Sequence, residues 1–206
     1  MARRRAGTPA EWAAKHGAVL YVAGDGRAPA FGHFPNARQR TTFAHLTPQA
    51  APYEYAVELR LGEHAVLAFE YRTAEEAAGI GYMVQVWTPP VPALSFDTTL
   101  KSMLTSIKGR PAAFRAAGTV LTGHPAFDAR FTVYCEHPDF ARGVLTPPVL
   151  ERLLGDPRTP AQFGLLNSVA LVSGPRALSL EDVPSLAGFL VDFVRTLPGY
   201  TWRYRR

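Results

Sequence analysis

The chain has 206 residues, 47% of them hydrophobic and 19% charged, a balance that allows a sizeable core and excludes wholesale disorder. Its formal net charge is +5, but Arg3, Arg4, Arg5, Arg203, Arg205 and Arg206 lie at the two ends and the body is close to neutral. A nucleic-acid-binding domain carries its positive charge on a folded face, which argues against a nucleic-acid partner.

No run of about 20 apolar residues could span a bilayer, and no apolar stretch follows the basic start MARRRAG as a secretory signal requires. The single Cys135 leaves no internal disulfide framework and fits a reducing compartment. The cytoplasm is the expected location. Arg far outnumbers Lys, which reads as the codon usage of a high-GC genome.

Thr8-Pro9-Ala10-Glu11 predicts a helix start: Thr8 caps, Pro9 suits the first helical position, and Glu11 reaches back to the cap amide. Trp12 and His16 share one face, and Gly17 ends the helix. Ala18–Val22 predicts a short strand into the Gly24-Asp25-Gly26 turn. Residues 24–52 read as irregular, pinned to the body by Phe31, Phe34 and Phe43. Tyr53–Leu61 alternates apolar and polar residues, Gly62-Glu63-His64 turns the chain, and Val66–Tyr71 returns. Gly81–Trp87 predicts a third strand ended by Pro89, Pro90 and Pro92, with Ala93–Phe96 as a fourth.

Thr98–Ile107 has helical spacing, and Val120-Leu121 can start another strand. Arg130–Cys135 predicts a strand, Pro138–Arg142 a helical turn, and Thr146–Gly155 a helix opened by Pro147 or Pro148. Phe163–Leu166 and Val169–Ser173 predict a hairpin turning at Asn167-Ser168. Ser179–Asp182 opens a final amphipathic helix with the stripe Leu186, Phe189, Leu190, Phe193 and Val194, stopped by Pro198-Gly199. The expected fold class is α+β, an antiparallel β-meander packed with a C-terminal strand-helix-hairpin-helix unit. It is expected as one domain over 1–206, with a β-rich part at 8–110 and an α+β part at 126–200 as the alternative division.

The stretch FDARFTVYCEHPDFARGVLTPPVLERLL, residues 127–154, carries Phe127, Phe131 and Val133, then Pro138, Phe140 and Ala141, then Val144, Leu145, Pro147, Leu153 and Leu154. These residues resemble the C-terminal signature of a bacterial family of unknown function from high-GC genomes: a Phe-rich strand, Asp-Pro-x-Phe-Ala, Val-Leu-x-Pro and a Leu-Leu helix. His137 stands where that signature has Asp. The Trp12 and His16-Gly17 opening followed by a meander shares a looser pattern. The resemblance implies an α+β body and carries over no catalytic residue.

The candidate chemistry is sparse. Cys135 and His137 are spaced i, i+2 on a strand, about 7 Å apart and too far for direct proton transfer, so a structural Cys is the better reading. The histidines form no metal-ligand spacing. Gly24-Asp25-Gly26 lacks the rest of a dinucleotide fingerprint, and neither a phosphate-binding loop nor a nucleophile elbow occurs. No cofactor and no metal are expected.

The leading expectation is therefore a non-catalytic protein that binds another protein. An enzyme assembled from dispersed residues such as His45, Asp97, Cys135 and His137 is the alternative. A second alternative is a peripheral binder of an anionic membrane surface through Arg3, Arg4, Arg5, Trp202, Arg203, Arg205 and Arg206, part of the basic-aromatic tail from Tyr200 to Arg206.

Overall fold

A computed structural model describes residues 8–34, 53–72, 80–98 and 118–204. Helix α1 (Pro9–His16) opens with the expected capping box: the Thr8 hydroxyl accepts from Glu11 N and the Glu11 carboxylate accepts from Thr8 N at 2.8 Å. Gly17, at φ 62°, closes it. Trp12 is buried and its ring stacks on His16 at 4.1 Å. Strand β1 (Val19–Val22) leads into a turn with Gly24 and Gly26 at positive φ, where the Asp25 carboxylate accepts from Val22 N and Arg27 N. Strands β2 (Tyr53–Leu61) and β3 (His64–Arg72) form the expected hairpin around Gly62. Phe43 and the helical reading of Thr98–Ile107 lie outside the described residues, apart from Thr98 itself.

The first large departure from expectation is β4. Residues Ile80–Asp97 form a single strand of 18 residues, where the prolines predicted two. The second is β7 (Gln162–Gly174), also one strand, where Asn167-Ser168 predicted a hairpin turn. The two are antiparallel neighbours throughout, and both corrections have one cause. Along β4, β7 occupies one side; β3 pairs on the other as far as Val86, and β6 (Thr132–Cys135) from Leu94 onward. Pro89, Pro90 and Pro92 fall in the interval between those two partners and at a shift in the register with β7. No ladder position there requires the amide hydrogens that proline lacks. Opposite them Asn167 takes φ 51°, the left-handed conformation Asn tolerates. The strands thus bend together at a bulge and continue. Asn167→Val should lower stability by about 1–2 kcal/mol, because a β-branched side chain resists positive φ; urea denaturation would measure it.

The described strands form one antiparallel sheet, in the order β1-β2-β3-β4-β6-β5, with β7 on the far side of β4 and β5 being Thr119–Val120. With five helices among the described residues alongside it, the fold is α+β as expected. Helix α2 (Pro125–Arg130) was not foreseen: His124 caps it, its Nδ1 accepting from Phe127 N. Phe127, expected on a strand, therefore sits on a helix, and the strand begins only at Thr132. Helices α3 (Pro138–Val144), α4 (Pro147–Gly155) and α5 (Val183–Thr196) follow, the last preceded by a 3-10 turn at Leu180–Asp182 and followed by another at Gly199–Arg203.

The main core lies on one sheet face, beneath α2, α4 and α5. Its centre is a cluster of rings: Phe163 stacks on Phe96 at 4.5 Å and meets Phe189 and Phe193 edge-on at 5.1 and 5.6 Å. Beside it, Gly164 passes so close to β4 that a Cβ would lie 2.2 Å from the Leu94 carbonyl oxygen. Only glycine fits there, and Gly164→Ala should destabilise by at least about 1–3 kcal/mol, the usual range for overpacking.

Between α4 and α5, Arg158 Nη2 binds the carboxylates of Asp156 and Asp192, each at 2.7 Å, and Arg152 reaches both. Hydrogen bonds from Arg158 hold both carboxyls below the ordinary carboxylate range. A carboxyl depressed in the folded state stabilises above its unfolded value and loses that contribution as pH falls through the folded one. Below about pH 4, stability of the parent protein should thus fall more steeply than that of Arg158→Ala. Parallel slopes in acid titrations followed by circular dichroism would contradict this.

The opposite sheet face is covered by the segment ending at Phe34, which packs on Tyr53 and Phe69. Its anchor is polar. Gln85, fully buried on β4, accepts from His33 N at 2.9 Å and donates to His33 O at 2.6 Å.

Candidate functional site

Among the described residues of the enzyme alternative, Asp97 does not converge with Cys135. In the β4–β6 ladder Asp97 pairs with Thr132 and Cys135 with Leu94. These positions are three residues apart, about 10 Å, and their side chains leave opposite faces of the sheet. Cys135 is buried in the main core and burial pushes its thiol up, away from the thiolate a nucleophile needs. Its Sγ donates to His137 O at 3.2 Å and accepts from His137 N at 3.4 Å, so the Cys-x-His spacing shapes the turn into α3. Asp97 is buried and receives Gln162 Nε2 at 3.5 Å. His45 lies outside the described residues. Among the described residues no group of three His, Cys, Asp or Glu side chains could hold a metal ion.

The structure does bring together two segments that sequence reading singled out separately: the Pro138-x-Phe140-Ala141 motif and the aromatic tail. Pro138 opens α3, whose Phe140, Ala141 and Val144 face the core. At the other end of the chain, Leu197 leaves the helical conformation and Pro198 starts the 3-10 turn, with Thr201 N donating to Pro198 O at 2.9 Å. That turn lays the tail against α3. The Tyr204 ring meets Phe140 edge-on at 4.9 Å and approaches His137 at 6.2 Å, and the Tyr200 hydroxyl donates to the Gly143 carbonyl.

Between the two elements lies a groove of about 230 Å³, lined by Asp139, Phe140, Gly143, Val144, Tyr200, Thr201 and Tyr204. Phe140 and Thr201 form its buried floor, whereas Tyr200 and Tyr204 are 54% and 37% exposed at its rim. The Thr201 hydroxyl is buried with no hydrogen-bond partner. Asp139 stands at the mouth, with its Oδ1 receiving Arg142 Nη2 at 2.9 Å. Two of the tail residues considered for an anionic surface are described: Trp202 is half-buried and packs on the main core, and Arg203 is exposed. Arg3, Arg4, Arg5, Arg205 and Arg206 lie outside the described residues. Sequence reading found the tail and the motif but not their meeting. The repetition of Tyr200 and Tyr204 at i, i+4 after a helix stop marks an aromatic pair, but not the element it docks on.

No protein-family model matches the chain, and no curated protein matches it by sequence. Its fold is similar to the crystal structure of the mycobacterial trehalose monomycolate transport factor A, TtfA. The TM-score is 0.55 and the identity 13%, over 91% of this chain and 93% of that one. At that identity the likeness is one of architecture. No helix among the described residues is long and apolar enough to cross a membrane.

Proposed function

We propose that this is a cytoplasmic, non-catalytic accessory protein that binds another protein through the groove between α3 and the C-terminal 3-10 turn. The observation that carries the reading is the size and make-up of the groove. At about 230 Å³ it falls below the roughly 300–1,000 Å³ of small-molecule sites, yet it suits a single inserted side chain. Its rim is built of tyrosines, which supply large contact area at low conformational cost and dominate interface hot spots. The fold likeness to a protein named as a transport factor supports an accessory role. The separation of Asp97 from Cys135 across the sheet supports binding over catalysis by those residues. A free, buried Cys135 suits a reducing compartment.

The test is site-specific photo-crosslinking in cells that express the protein natively, with the photoreactive residue at position 200 or 204. Val22, exposed on the β1 edge strand, serves as the control position. A discrete protein adduct from 200 or 204, absent from 22, is expected. Adducts of equal yield at all three positions, or none, would overturn the reading.

A further inference from the structure

We propose that the partner inserts an arginine side chain into this groove. The proposal rests on the protein-binding reading above and specifies its chemistry. The free polar groups of the lining can all accept, and two of them can only accept. Asp139 is an acceptor only, and its Oδ2 is left over after Oδ1 meets Arg142. The Tyr200 hydroxyl has committed its proton to the Gly143 carbonyl, so its remaining capacity is to accept. The Thr201 hydroxyl lies unpartnered beneath them in the floor, and an orphaned buried hydroxyl is a cost that a donor reaching it would remove. Among the described residues no cationic side chain lines the groove, and the single charge there is negative. Lys, Arg, Trp and protonated His only donate, and the carboxylate at the mouth favours the cations, of which Lys and Arg are charged at neutral pH.

The walls choose between them. Phe140 and Tyr204 stand edge to face at an interplanar angle of 61°, with Tyr200 at the rim. Ring faces attract cations, and a planar guanidinium stacks on them where a compact, strongly hydrated ammonium does not. The pair between Arg142 and Asp139 is solvent-exposed, with side chains 59% and 91% accessible, so yielding an oxygen to an incoming guanidinium costs little.

The test titrates the full chain with N-acetyl-arginine methylamide while the ring signals of Tyr200 and Tyr204 are followed by NMR. The citrulline analogue keeps the shape and removes the charge; the lysine and glutamate analogues complete the set. Arginine should give saturable shifts at both rings, with citrulline about fivefold weaker or more, the factor expected from one exposed ion pair plus a cation–π contact. Asp139→Asn should weaken arginine binding by a similar factor and leave citrulline unchanged. Equal binding of citrulline, preference for lysine or glutamate, or no shift with arginine would each overturn the proposal. A crosslinked partner at position 204 without arginine binding sinks the arginine and leaves the protein-binding reading standing. Arginine binding without any adduct sinks both the reading and the proposal that rests on it.

Discussion

Replacing Phe163 by Ala is expected to destabilise the protein by about 3–5 kcal/mol, the range for large-to-small changes at buried aromatic sites. Phe163 is 2% exposed and touches four other rings, Phe96, Phe131, Phe189 and Phe193. These rings come from β4, the α2–β6 junction and α5, so the cavity would open where the sheet and the helices meet. Such a void cannot be filled by one neighbour moving, because each ring is held in its own element. For a chain of this size the midpoint of thermal unfolding should drop by about 6–20 °C. A loss below about 1 kcal/mol would show that the cluster repacks and that its geometry is not the keystone of the core.

The second large effect is expected at Gln85. Gln85→Leu keeps the volume but strips His33 of an acceptor for its N–H and a donor to its C=O, in a buried setting. Leaving two buried backbone groups without these partners should cost roughly 2–5 kcal/mol in all. The consequence extends along the covering segment. At Gly32 a Cβ would lie 2.5 Å from Leu67 Cδ2, so the backbone lies almost on the sheet, and Phe34 follows in the second core cluster. Hydrogen exchange should therefore accelerate at His33 well before the main core opens. Gln85→Glu should be worse than Gln85→Leu near neutral pH, since a carboxylate can still accept from His33 N but cannot donate to His33 O and is charged in a buried site. Equal stability of Gln85→Leu and the parent would contradict the role of this amide.

The local grammar of the fold was legible wherever one element answers to its own residues. The capping box at Thr8 and Glu11, the Tyr53–Arg72 hairpin around Gly62 and the stripe of α5 follow from spacing alone. The bend of β4 and β7 did not, and the reason is physical. On β7 the residues facing the main core are Phe163 and Leu165 before the bulge and Ala170 and Val172 after it. The alternation slips by one residue at Asn167, and a slip of phase beside Asn-Ser reads as a turn between two strands. Pro89, Pro90 and Pro92 read as a strand end for a similar reason: whether a missing amide hydrogen matters depends on partner strands that are remote in sequence, β3 before them and β6 and β7 after them. Helix α2 escaped notice because six residues bear too little periodicity and its cap is a histidine.

The groove was out of reach for the same reason as the bend. Phe140 was visible as a motif residue and Tyr200 and Tyr204 as a tail, but nothing local to either says that the chain end returns to α3. That return depends on Leu197 leaving the helix and on Thr201 becoming fully buried. The enzyme candidates show the converse: Cys135 and Asp97 are only a few residues apart along paired strands, yet parity sends them to opposite faces.

The central claim is that Tyr200 and Tyr204 form the protein-binding surface. It is tested most directly by affinity purification from native lysate with the parent chain and with the Tyr200→Ala/Tyr204→Ala double variant, at matched thermal stability. A partner recovered in stoichiometric yield with the parent and at least about tenfold less with the variant, a loss of roughly 1.4 kcal/mol or more, is the predicted result. Equal recovery of the same partner by both chains would place the interaction elsewhere on the molecule and contradict the account.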